Sequence, residues 1–436
     1  MHTTTFQSPW LSFDRPTWPK LSDDATCDVA IVGGGISGVT TLYYLLTETT
    51  KKVLLLEQSH IASGASGNNA GLACIHIEKP IQELVAAYGA KKTQQTFQEI
   101  DDSWDMMVKL LDTIHASDLL EPLQNICLAI TSVDILLDQF TRETHNKAFG
   151  RTTSTCYVVD DPEILRQLPK DPGIPLHTLS RQEFVEKFQI IDKDYIAVCI
   201  PNSRFARLNS AKVCYKILQY LSQNFPERFN VFENTPVKSI QEQEESILLN
   251  QKVTAKNVIL CTNGYKNFDI LHKDGQSNTT LHDALTPREG YMAAYGNSKP
   301  ESFAQGFFDD RNLYKDCPYL YVTHTNRLTI LGGPEFDEPE GNHSSEKIEQ
   351  RAVASKDLYQ QFLKKTYGIQ DITFSHFWLG IMGYTANDIR WVHEDKSIRH
   401  LYYNLGCNGI GIMPSVAAAK RVVALLCGRH LPPALF

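Results

Sequence analysis

The chain has 436 residues and a formal net charge of -8 at pH 7, with 42% hydrophobic and 21% charged residues. This length exceeds what one growing hydrophobic core supports, so it predicts at least two domains, and the composition is that of an ordinary soluble globular enzyme. The net negative charge argues against a surface that binds nucleic acid.

Targeting and metal-binding patterns are not visible in the sequence. The first ten residues contain neither the basic segment nor the apolar stretch of a secretory signal, and no apolar run is long enough to span a membrane. The ten cysteines include no CxxC pair, which is typical of reduced thiols, and the histidines show no metal-ligand spacing. We therefore expect a cytoplasmic protein without a membrane span and without a metal site.

Residues 1–26 contain several Trp and Pro residues and predict an irregular arm on the surface. After this arm, the apolar run 28–32 ends at Gly33-Gly34-Gly35-Ile36-Ser37-Gly38, and apolar residues at helical spacing follow. A second apolar run, 53–56, ends on Glu57. This order of strand, glycine turn, helix, strand and acid predicts a βαβ unit that binds a dinucleotide.

Each residue type in this motif has a physical role. Gly33 permits the tight turn, Gly35 lets a pyrophosphate approach the backbone at the helix N-terminus, and Gly38 lets the helix pack closely on the strand. Glu57 is placed to accept hydrogen bonds from the adenosine ribose. A chance glycine cluster in a turn is the alternative, and the motif does not choose between NAD and FAD. The residues predicted to bind this part of the cofactor are Gly33, Gly35, Ile36, Ser37, Gly38, Glu57 and Gln58.

The run 62–71, ASGASGNNAG, consists of residues too small or polar to build a core. It can bring backbone amides and short hydroxyls against a second part of a cofactor, or it can be a flexible linker. Here the chain resembles the D-amino-acid oxidase (DAO) superfamily of FAD-dependent amine oxidoreductases, in particular its glycine and sarcosine oxidase-like members, which carry a similar ASGASGxNxG stretch. The resemblance implies that FAD is contacted by Ala65, Ser66, Asn68, Asn69, Ala70 and Gly71.

The resemblance also bears on how FAD is attached. Some members of the family bind FAD covalently through a histidine in this segment, and this chain has Asn68-Asn69 at the matching place. We therefore expect non-covalent FAD. Cys407, beside the C-terminal motif described below, is the exception to consider, although a small buried thiol is the more ordinary role.

The middle of the chain predicts structural elements without a catalytic pattern. Helical spacing covers 80–115, a strand is expected at 126–131 and a helix at 134–149, and Asp160-Asp161-Pro162 caps a further short helix. Asn209 caps the next predicted helix. Strands are then expected at 230–232, 236–240, 247–249 and 258–261.

Two short segments of this region have counterparts in the resembled family. The residue at Val237 holds the adenine through its backbone there, and the segment at Thr262, Asn263 and Gly264 closes over the pyrophosphate. An ordinary sheet accounts for these residues nearly as well. Further strands are predicted at 290–295, 319–323 and 328–332, and the segments 286–290 and 327–333 resemble a strand near the flavin and a glycine-rich hairpin of the family.

The C-terminal segment carries the second specific motif. A strand at 401–405 is followed by Gly406-Cys407-Asn408-Gly409-Ile410-Gly411 and a helix over 414–427. It resembles the family's GxxGxG turn, whose helix N-terminus points at the flavin pyrimidine and stabilises the negative charge of the reduced ring. The alternative is a helix that only docks on the first domain. The residues implied at the flavin are Asn408, Gly409, Ile410 and Gly411.

Taken with the resemblance, these elements predict an α/β fold. A Rossmann-type, GR2-like FAD-binding domain is expected from 1–115, 191–265 and 377–436. An inserted α+β substrate domain, built on an antiparallel sheet, is expected from 116–190 and 266–376.

The predicted substrate site departs from the amino-acid-oxidising members of the family. Alignment of 377–385 on the family's WxGxRPxT pattern puts Met382 where those enzymes have a carboxylate-binding arginine, and Arg390-Trp391 falls where the family has P-x-I-G. Arg288 is a substitute carboxylate partner, or else it forms a surface or flavin-edge ion pair. The residues predicted to wall the site are Arg288, Tyr291, Tyr321, Met382 and Tyr384, with the tyrosines equally able to fill a core.

The resemblance implies an FAD-dependent oxidase or dehydrogenase. It would oxidise a C–N bond of a small amine or an amino or imino acid by hydride transfer to flavin N5, with O2 or an electron carrier as acceptor. Two alternatives are an oxidase of the kind that modifies the tRNA wobble uridine, which has a similar GASGN run, and a flavin-binding electron-transfer module. The negative net charge counts against a tRNA substrate.

Overall fold

The structure is a computed structural model that describes residues 7–77, 79–296, 303–308, 319–324, 328–338, 344–370 and 372–435. Arg327, the first residue of the predicted glycine-rich hairpin, lies outside these residues. The helices are α1 (Ile36–Glu48), α2 (Ile81–Tyr88), α3 (Ala90–Thr113), α4 (Val133–Ala148), α5 (Pro162–Leu165), α6 (Arg181–Phe188), α7 (Ser210–Asn224), α8 (Thr280–Ala284), α9 (Ser345–Tyr367) and α10 (Pro414–Leu426).

The strands fall into three sheets. They are β1 (Ala25–Val32), β2 (Val53–Leu56), β3 (Leu72–Cys74), β4 (Leu120–Pro122), β5 (Ile126–Ile130), β6 (Thr155–Val159), β7 (Leu176–Leu179), β8 (Ala197–Ile200), β9 (Phe205–Leu208), β10 (Phe229–Phe232), β11 (Ser239–Glu242), β12 (Ile247–Leu249), β13 (Val253–Leu260), β14 (Asp269–Leu271), β15 (Leu285–Gly296), β16 (Phe303–Phe308), β17 (Tyr319–His324), β18 (Leu328–Asp337), β19 (His376–Thr385), β20 (Trp391–Glu394) and β21 (Leu401–Leu405).

The first sheet has the order β10-β2-β1-β13-β12-β11-β14, and β21 joins it by pairing with β13 and β20. Its centre is parallel, since β1 pairs in parallel with both β2 and β13. The second half of β1, residues 29–32, and the whole of β2 are apolar and buried, as parallel strands are. Helix α1 packs between α7 and α10 on this sheet, which confirms the predicted Rossmann-type domain.

The second sheet has the order β19-β15-β18-β17-β16-β5-β8-β6-β7. It is largely antiparallel, with β15 pairing antiparallel to β18 and β19, and two of its pairs, β16 with β5 and β6 with β7, are parallel. Helix α9 contacts β15 on one face. The sheet takes β8 and β19 from outside the ranges 116–190 and 266–376, and the domain boundaries stay a prediction.

Differences from the predicted elements have a clear physical cause in the helical region 80–115 and in the strand expected at 236–240. The helical region 80–115 is divided into α2 and α3 at Gly89, whose φ of 84° lies in the region that favours glycine. The strand expected at 236–240 begins only at Ser239. The Asn250 side chain donates to Pro236 O at 2.8 Å and accepts the amides of Lys238 at 2.7 Å and Ser239 at 3.2 Å. These side-chain bonds take the place of hydrogen bonds to a neighbouring strand.

The N-terminal arm is irregular, as expected, and several contacts anchor it. Trp10 Nε1 donates to Asn69 O at 2.7 Å, and the Trp18 amide donates to the buried Glu233 carboxylate at 3.1 Å. The Leu21 amide donates to Thr235 Oγ1 at 3.1 Å. The arm therefore braces the loop 62–71.

The described residues include no helix that is both long and apolar enough to cross a bilayer. Within the same residues, no three His, Cys, Asp or Glu side chains are grouped so that they could hold a metal ion.

Candidate active site and cofactor cavity

A cavity of about 780 Å³ is lined by residues of both large sheets. Val32, Glu57 and Cys261 line it from the carboxyl ends of β1, β2 and β13, while Arg288 and Met382 line it from β15 and β19. The end of a parallel sheet is where the α/β fold binds nucleotides. The cavity therefore joins a nucleotide-binding end to a wall supplied by the second sheet.

The glycine turn is shaped by close approaches of the backbone. Gly33 has a φ of 108°, and a Cβ there would lie 2.6 Å from Cys261 O. A Cβ on Gly38 would collide with the Gly33 carbonyl. Ser66 Oγ accepts the Ile36 amide at 2.8 Å and would lie 2.9 Å from a Cβ on Gly35. The first turn of α1 thus contacts the loop 62–71 directly beside the glycine turn.

Glu57 is buried at the end of β2 and lines the cavity, and the exposed Gln58 lines it too. The carboxylate accepts the Gly34 amide at 2.7 Å and the Ser59 amide at 2.9 Å. Burial raises the pKa of Glu57, and these two amides oppose the rise. Each carboxylate oxygen can accept a further hydrogen bond, so the predicted contact with a ribose is compatible with a second role. That second role is to hold the glycine turn.

The loop 62–71 is held by its own amide side chains. Asn69 Nδ2 donates to Ala65 O and Ser66 O, both at 2.9 Å, and Asn69 Oδ1 accepts the Gly71 amide at 2.7 Å. Asn68 Nδ2 donates to Ser63 O at 2.7 Å. These bonds fit a shaped loop better than a flexible linker. The predicted residues of this loop that line the cavity are Ala65, Ser66, Asn68, Asn69 and Ala70.

The two remaining glycine-containing segments meet at Asn263. Asn263 Oδ1 accepts the Cys407 amide at 3.0 Å and the Gly383 amide at 3.3 Å. Asn408 is tied in as well, because its amide donates to Gly383 O at 3.0 Å and its side chain accepts the Thr385 amide at 2.8 Å. The end of β13, strand β19 and the turn before α10 therefore form one wall.

Most of the predicted cofactor residues of these segments line the cavity. They are Val237, Thr262, Asn263, Gly409, Ile410 and Gly411. Gly38, Gly71, Gly264 and Asn408 are not among the lining residues of the described chain. Close packing surrounds Gly264, where a Cβ would collide with Met382 O, and the predicted contacts of these four residues with the cofactor stay a prediction.

The predicted substrate residues Arg288, Met382 and Tyr384 lie together. Arg288 and Met382 are register partners of β15 and β19. The Arg288 guanidinium lies 4.0 Å from the centre of the Tyr384 ring, bonds Asp337 and approaches Glu335 at 3.9 Å. Tyr384 donates to Glu335 Oε2 at 2.9 Å. Glu335 also lines this wall, although no motif in the sequence singles it out.

The other two tyrosines are placed differently from each other. Tyr321 lines the cavity, with its hydroxyl beside Gly332. Tyr291 is fully buried with its ring against Phe336, and its hydroxyl donates to Glu289 at 2.9 Å. Part of Tyr291 borders the cavity, but its side chain packs in the core under α9. Filling a core was one of the two roles that the sequence allowed for this tyrosine.

Two buried polar atoms in the cavity wall test whether a cofactor fits. Thr262 Oγ1 and Arg390 Nη1 are buried and have no hydrogen-bond partner among the described residues, and both residues line the cavity. An unsatisfied buried polar atom is costly, so a polar ligand is expected against it. With the glycine turn open to a phosphate, these atoms fit a diphosphate-containing cofactor.

The fold and the cavity together define an α/β protein with a nucleotide-binding end and an opposite wall from the second sheet. Residues 28–425 match the family model for FAD dependent oxidoreductase (DAO). The chain belongs to this family, which confirms the resemblance and makes the protein an FAD-dependent enzyme. When bound, FAD supplies the two-electron oxidation, and the protein supplies the binding and orientation of both partners.

Known proteins similar to this chain agree with this assignment. Gamma-glutamylputrescine oxidoreductase of Escherichia coli (strain K12) is 33% identical over 442 residues, which cover 98% of this chain and 89% of the relative. The structure resembles glycine oxidase from Geobacillus kaustophilus, with a TM-score of 0.63, 15% identity, and coverage of 94% and 99%. It also resembles L-alpha-glycerophosphate oxidase from Mycoplasma pneumoniae with FAD bound, with a TM-score of 0.58, 18% identity, and coverage of 92% and 95%.

Proposed function

We propose that this enzyme oxidises the C–N bond of an amine that has no carboxylate on the reacting carbon. The observation that carries the proposal is the composition of the wall around Met382. The Met382 thioether lies beside the Arg288 guanidinium, which already contacts carboxylates of the protein. The similarity to gamma-glutamylputrescine oxidoreductase supports an amine substrate.

Arg288 is poorly placed to bind a substrate carboxylate. Its guanidinium contacts Asp337 and lies 3.9 Å from Glu335, so two negative charges already face one positive charge. A third carboxylate would meet like charges, which disfavour its ionised form. Arg288 is therefore better explained as a brace between β15 and β18 than as the missing anchor.

Glu335 gives the wall an affinity for a cation. Its side chain is 32% exposed and lines the cavity, and it accepts one hydrogen bond from Tyr384. An ammonium ion is a donor without acceptors, so it is a fitting partner for the remaining carboxylate oxygen. We assign Glu335 to the binding of a substrate nitrogen.

The proposal is tested by anaerobic reduction of the bound flavin with matched substrate pairs. Ornithine and 1,4-diaminobutane differ only in the carboxylate, and norvaline and n-butylamine form a second pair. The amine of each pair should bleach the flavin faster. If the amino acids are much better substrates and Arg288→Ala keeps that preference, both the proposal and the rival role of Arg288 fail.

Substitution of Glu335 tests the cation site directly. Glu335→Gln should raise the Kd for the amine about tenfold to a hundredfold, since a hydrogen bond to a charged group contributes about 1.5–3 kcal/mol. Asp337→Asn is the matched control, because Asp337 also pairs with Arg288 but is 56% exposed. Equal increases in Kd for the two substitutions would show that the loss comes from the ion pairs with Arg288 and not from an ammonium contact.

The pH dependence of amine binding gives an independent check. Burial raises the pKa of Glu335, while the Tyr384 hydroxyl and Arg288 partly oppose the rise. The carboxylate binds a cation only when ionised, so amine affinity should be present above this raised pKa and be lost as pH falls through it. Glu335→Gln should remove this limb of the binding profile. If the variant still loses amine affinity at low pH as the wild type does, another group is responsible for this pH dependence.

The same preparation can identify the electron acceptor. It can also distinguish the proposed reaction from the two alternative functions, tRNA modification and electron transfer to a partner. Hydrogen peroxide formed in air would identify O2 as the acceptor, and slow reoxidation in air would indicate an electron carrier. Flavin that no amine or amino acid bleaches would favour tRNA modification or electron transfer to a partner over the proposed reaction.

A further inference from the structure

Arg390 lies between β19 and β20 and is only 6% exposed. Its Nε donates to Asn404 Oδ1 of β21 at 3.0 Å, and Nη2 donates to Ser37 Oγ in the first turn of α1. The third nitrogen, Nη1, is buried and has no hydrogen-bond partner in the part of the chain that the structure describes. The guanidinium is thus held by two neutral side chains beside the N-terminus of α1, and the residue lines the cavity.

This guanidinium has no charged partner among the described residues. The groups that face it are the neutral side chains of Ser37 and Asn404 and the thiols of Cys261 and Cys407. Burial lowers the pKa of Arg390, which shows the cost of its charge in this setting. An arginine stays charged in proteins, so the charge itself remains to be compensated.

Another buried arginine of this chain shows the usual arrangement. Arg421 in α10 is 9% exposed, and its Nη1 bonds Glu99 Oε1 of α3 at 2.7 Å. A buried charge is ordinarily paired in this way. Arg390 lacks such a carboxylate, so its counter-charge is expected to come from a ligand.

We propose that the Arg390 guanidinium pairs with the diphosphate of FAD beside the first turn of α1. Its contact with Ser37 puts the guanidinium where a helix N-terminus already favours an anion, and a guanidinium fork fits phosphate oxygens. This assignment rests on the FAD dependence of the family and is independent of the proposed amine substrate. It gives a function to the residue that stands where the resembled family has a P-x-I-G segment.

The test compares two buried arginines by two measurements on apoprotein. FAD and ADP are titrated, because ADP carries the diphosphate without the flavin, and the Tm of the apoprotein is recorded. Arg390→Met should weaken binding of both FAD and ADP by about tenfold to a hundredfold, without lowering the apoprotein Tm, because an unpaired buried charge is removed. Arg421→Met should lower the apoprotein Tm by leaving Glu99 unpaired, and should keep the affinity for both ligands.

Three results would overturn the proposal. Wild-type affinity of Arg390→Met for FAD and ADP would show that the residue does not meet the cofactor. Loss of FAD affinity with unchanged ADP affinity, together with a lower flavin reduction potential, would place the guanidinium at the flavin ring. A lower Tm with unchanged affinity, as expected for Arg421→Met, would make Arg390 a purely structural residue.

A second variant keeps the test decisive if the methionine variant fails to fold. Arg390→Lys retains the charge but loses the planar fork, so ADP affinity should fall severalfold rather than a hundredfold. Unchanged ADP affinity in this variant would equally overturn the assignment. The preference for amines over amino acids is expected to persist in both variants, so failure here is distinguishable from failure of the proposed function.

Discussion

Glu57 shows how one residue can be found from sequence and still be understood only in part. Its place after the second strand of a βαβ unit predicts a contact with ribose. The structure adds that its carboxylate accepts the amides of Gly34 and Ser59, which shape the glycine turn and the residues after β2. One side chain therefore supports both the loop and the ligand.

This double role changes what substitution of Glu57 should do. Glu57→Ala should weaken FAD binding about tenfold to a hundredfold and should also lower the apoprotein Tm, because two amides lose their acceptor. Glu57→Gln keeps one acceptor oxygen, so it should lower the Tm less than Glu57→Ala does, while FAD affinity should still fall clearly. The checks are FAD titration and thermal unfolding of the apoprotein. Unchanged FAD affinity in both variants would remove Glu57 from the cofactor site.

Other residues of the site could not be found from the sequence. The motif residues are close together along the chain, so their spacing reports their geometry. Arg390 and Ser37 are separated by 353 positions, and Tyr384 and Glu335 by 49. Local spacing carries no information about such contacts, because they arise when distant strands end at one cavity.

At the scale of elements, helices and strands were predicted well where an apolar period ran between clear end signals. The strand and helix at 28–48 and the C-terminal strand and helix are examples. The division between α2 and α3 was missed because helical spacing continues across it. A single glycine breaks the backbone there without interrupting the apolar pattern.

Gly89 provides a prediction about this break. Its φ and ψ of 84° and 151° fall in a region that side chains other than hydrogen disfavour, and a Cβ there would meet nothing within 4 Å. Gly89→Ala should therefore lower stability by about 1–3 kcal/mol through backbone strain alone. Denaturant unfolding measures this loss. Gly296→Ala is the control, since its Cβ also meets nothing and its φ lies outside the positive region, and an equal loss there would rule out strain at Gly89.

At the scale of the whole molecule, the two large sheets contribute opposite walls of one cavity. The sequence indicated this division through the resemblance. Pairing of strands across the chain, such as β5 beside β16 and β8 beside β5, depends on contacts that no local pattern specifies. Local motifs therefore pointed to many residues at the nucleotide-binding end of the cavity, whereas none pointed to Glu335 on the opposite wall.

The final prediction concerns how this cavity retains its cofactor. Burial raises the pKa of the Cys407 thiol, so little reactive thiolate forms, although the hydrogen bond that Asn263 Nδ2 donates to the sulfur at 3.4 Å partly opposes the rise. Asn68 and Asn69 use their amides to hold the loop 62–71. FAD should therefore be held without a covalent bond, and acid or heat should release it intact into the supernatant.

Two measurements decide this prediction. The unfolded polypeptide should show no mass added by flavin, and flavin that stays with the precipitated chain would contradict a non-covalent site. Cys407→Ser is the control, because retention lost in this variant would identify the thiol as the attachment point. Free FAD should also raise the Tm of the apoprotein progressively with its concentration, since a ligand that binds only the folded state stabilises it by mass action. A covalently loaded protein would not respond to added FAD, so the two measurements must agree.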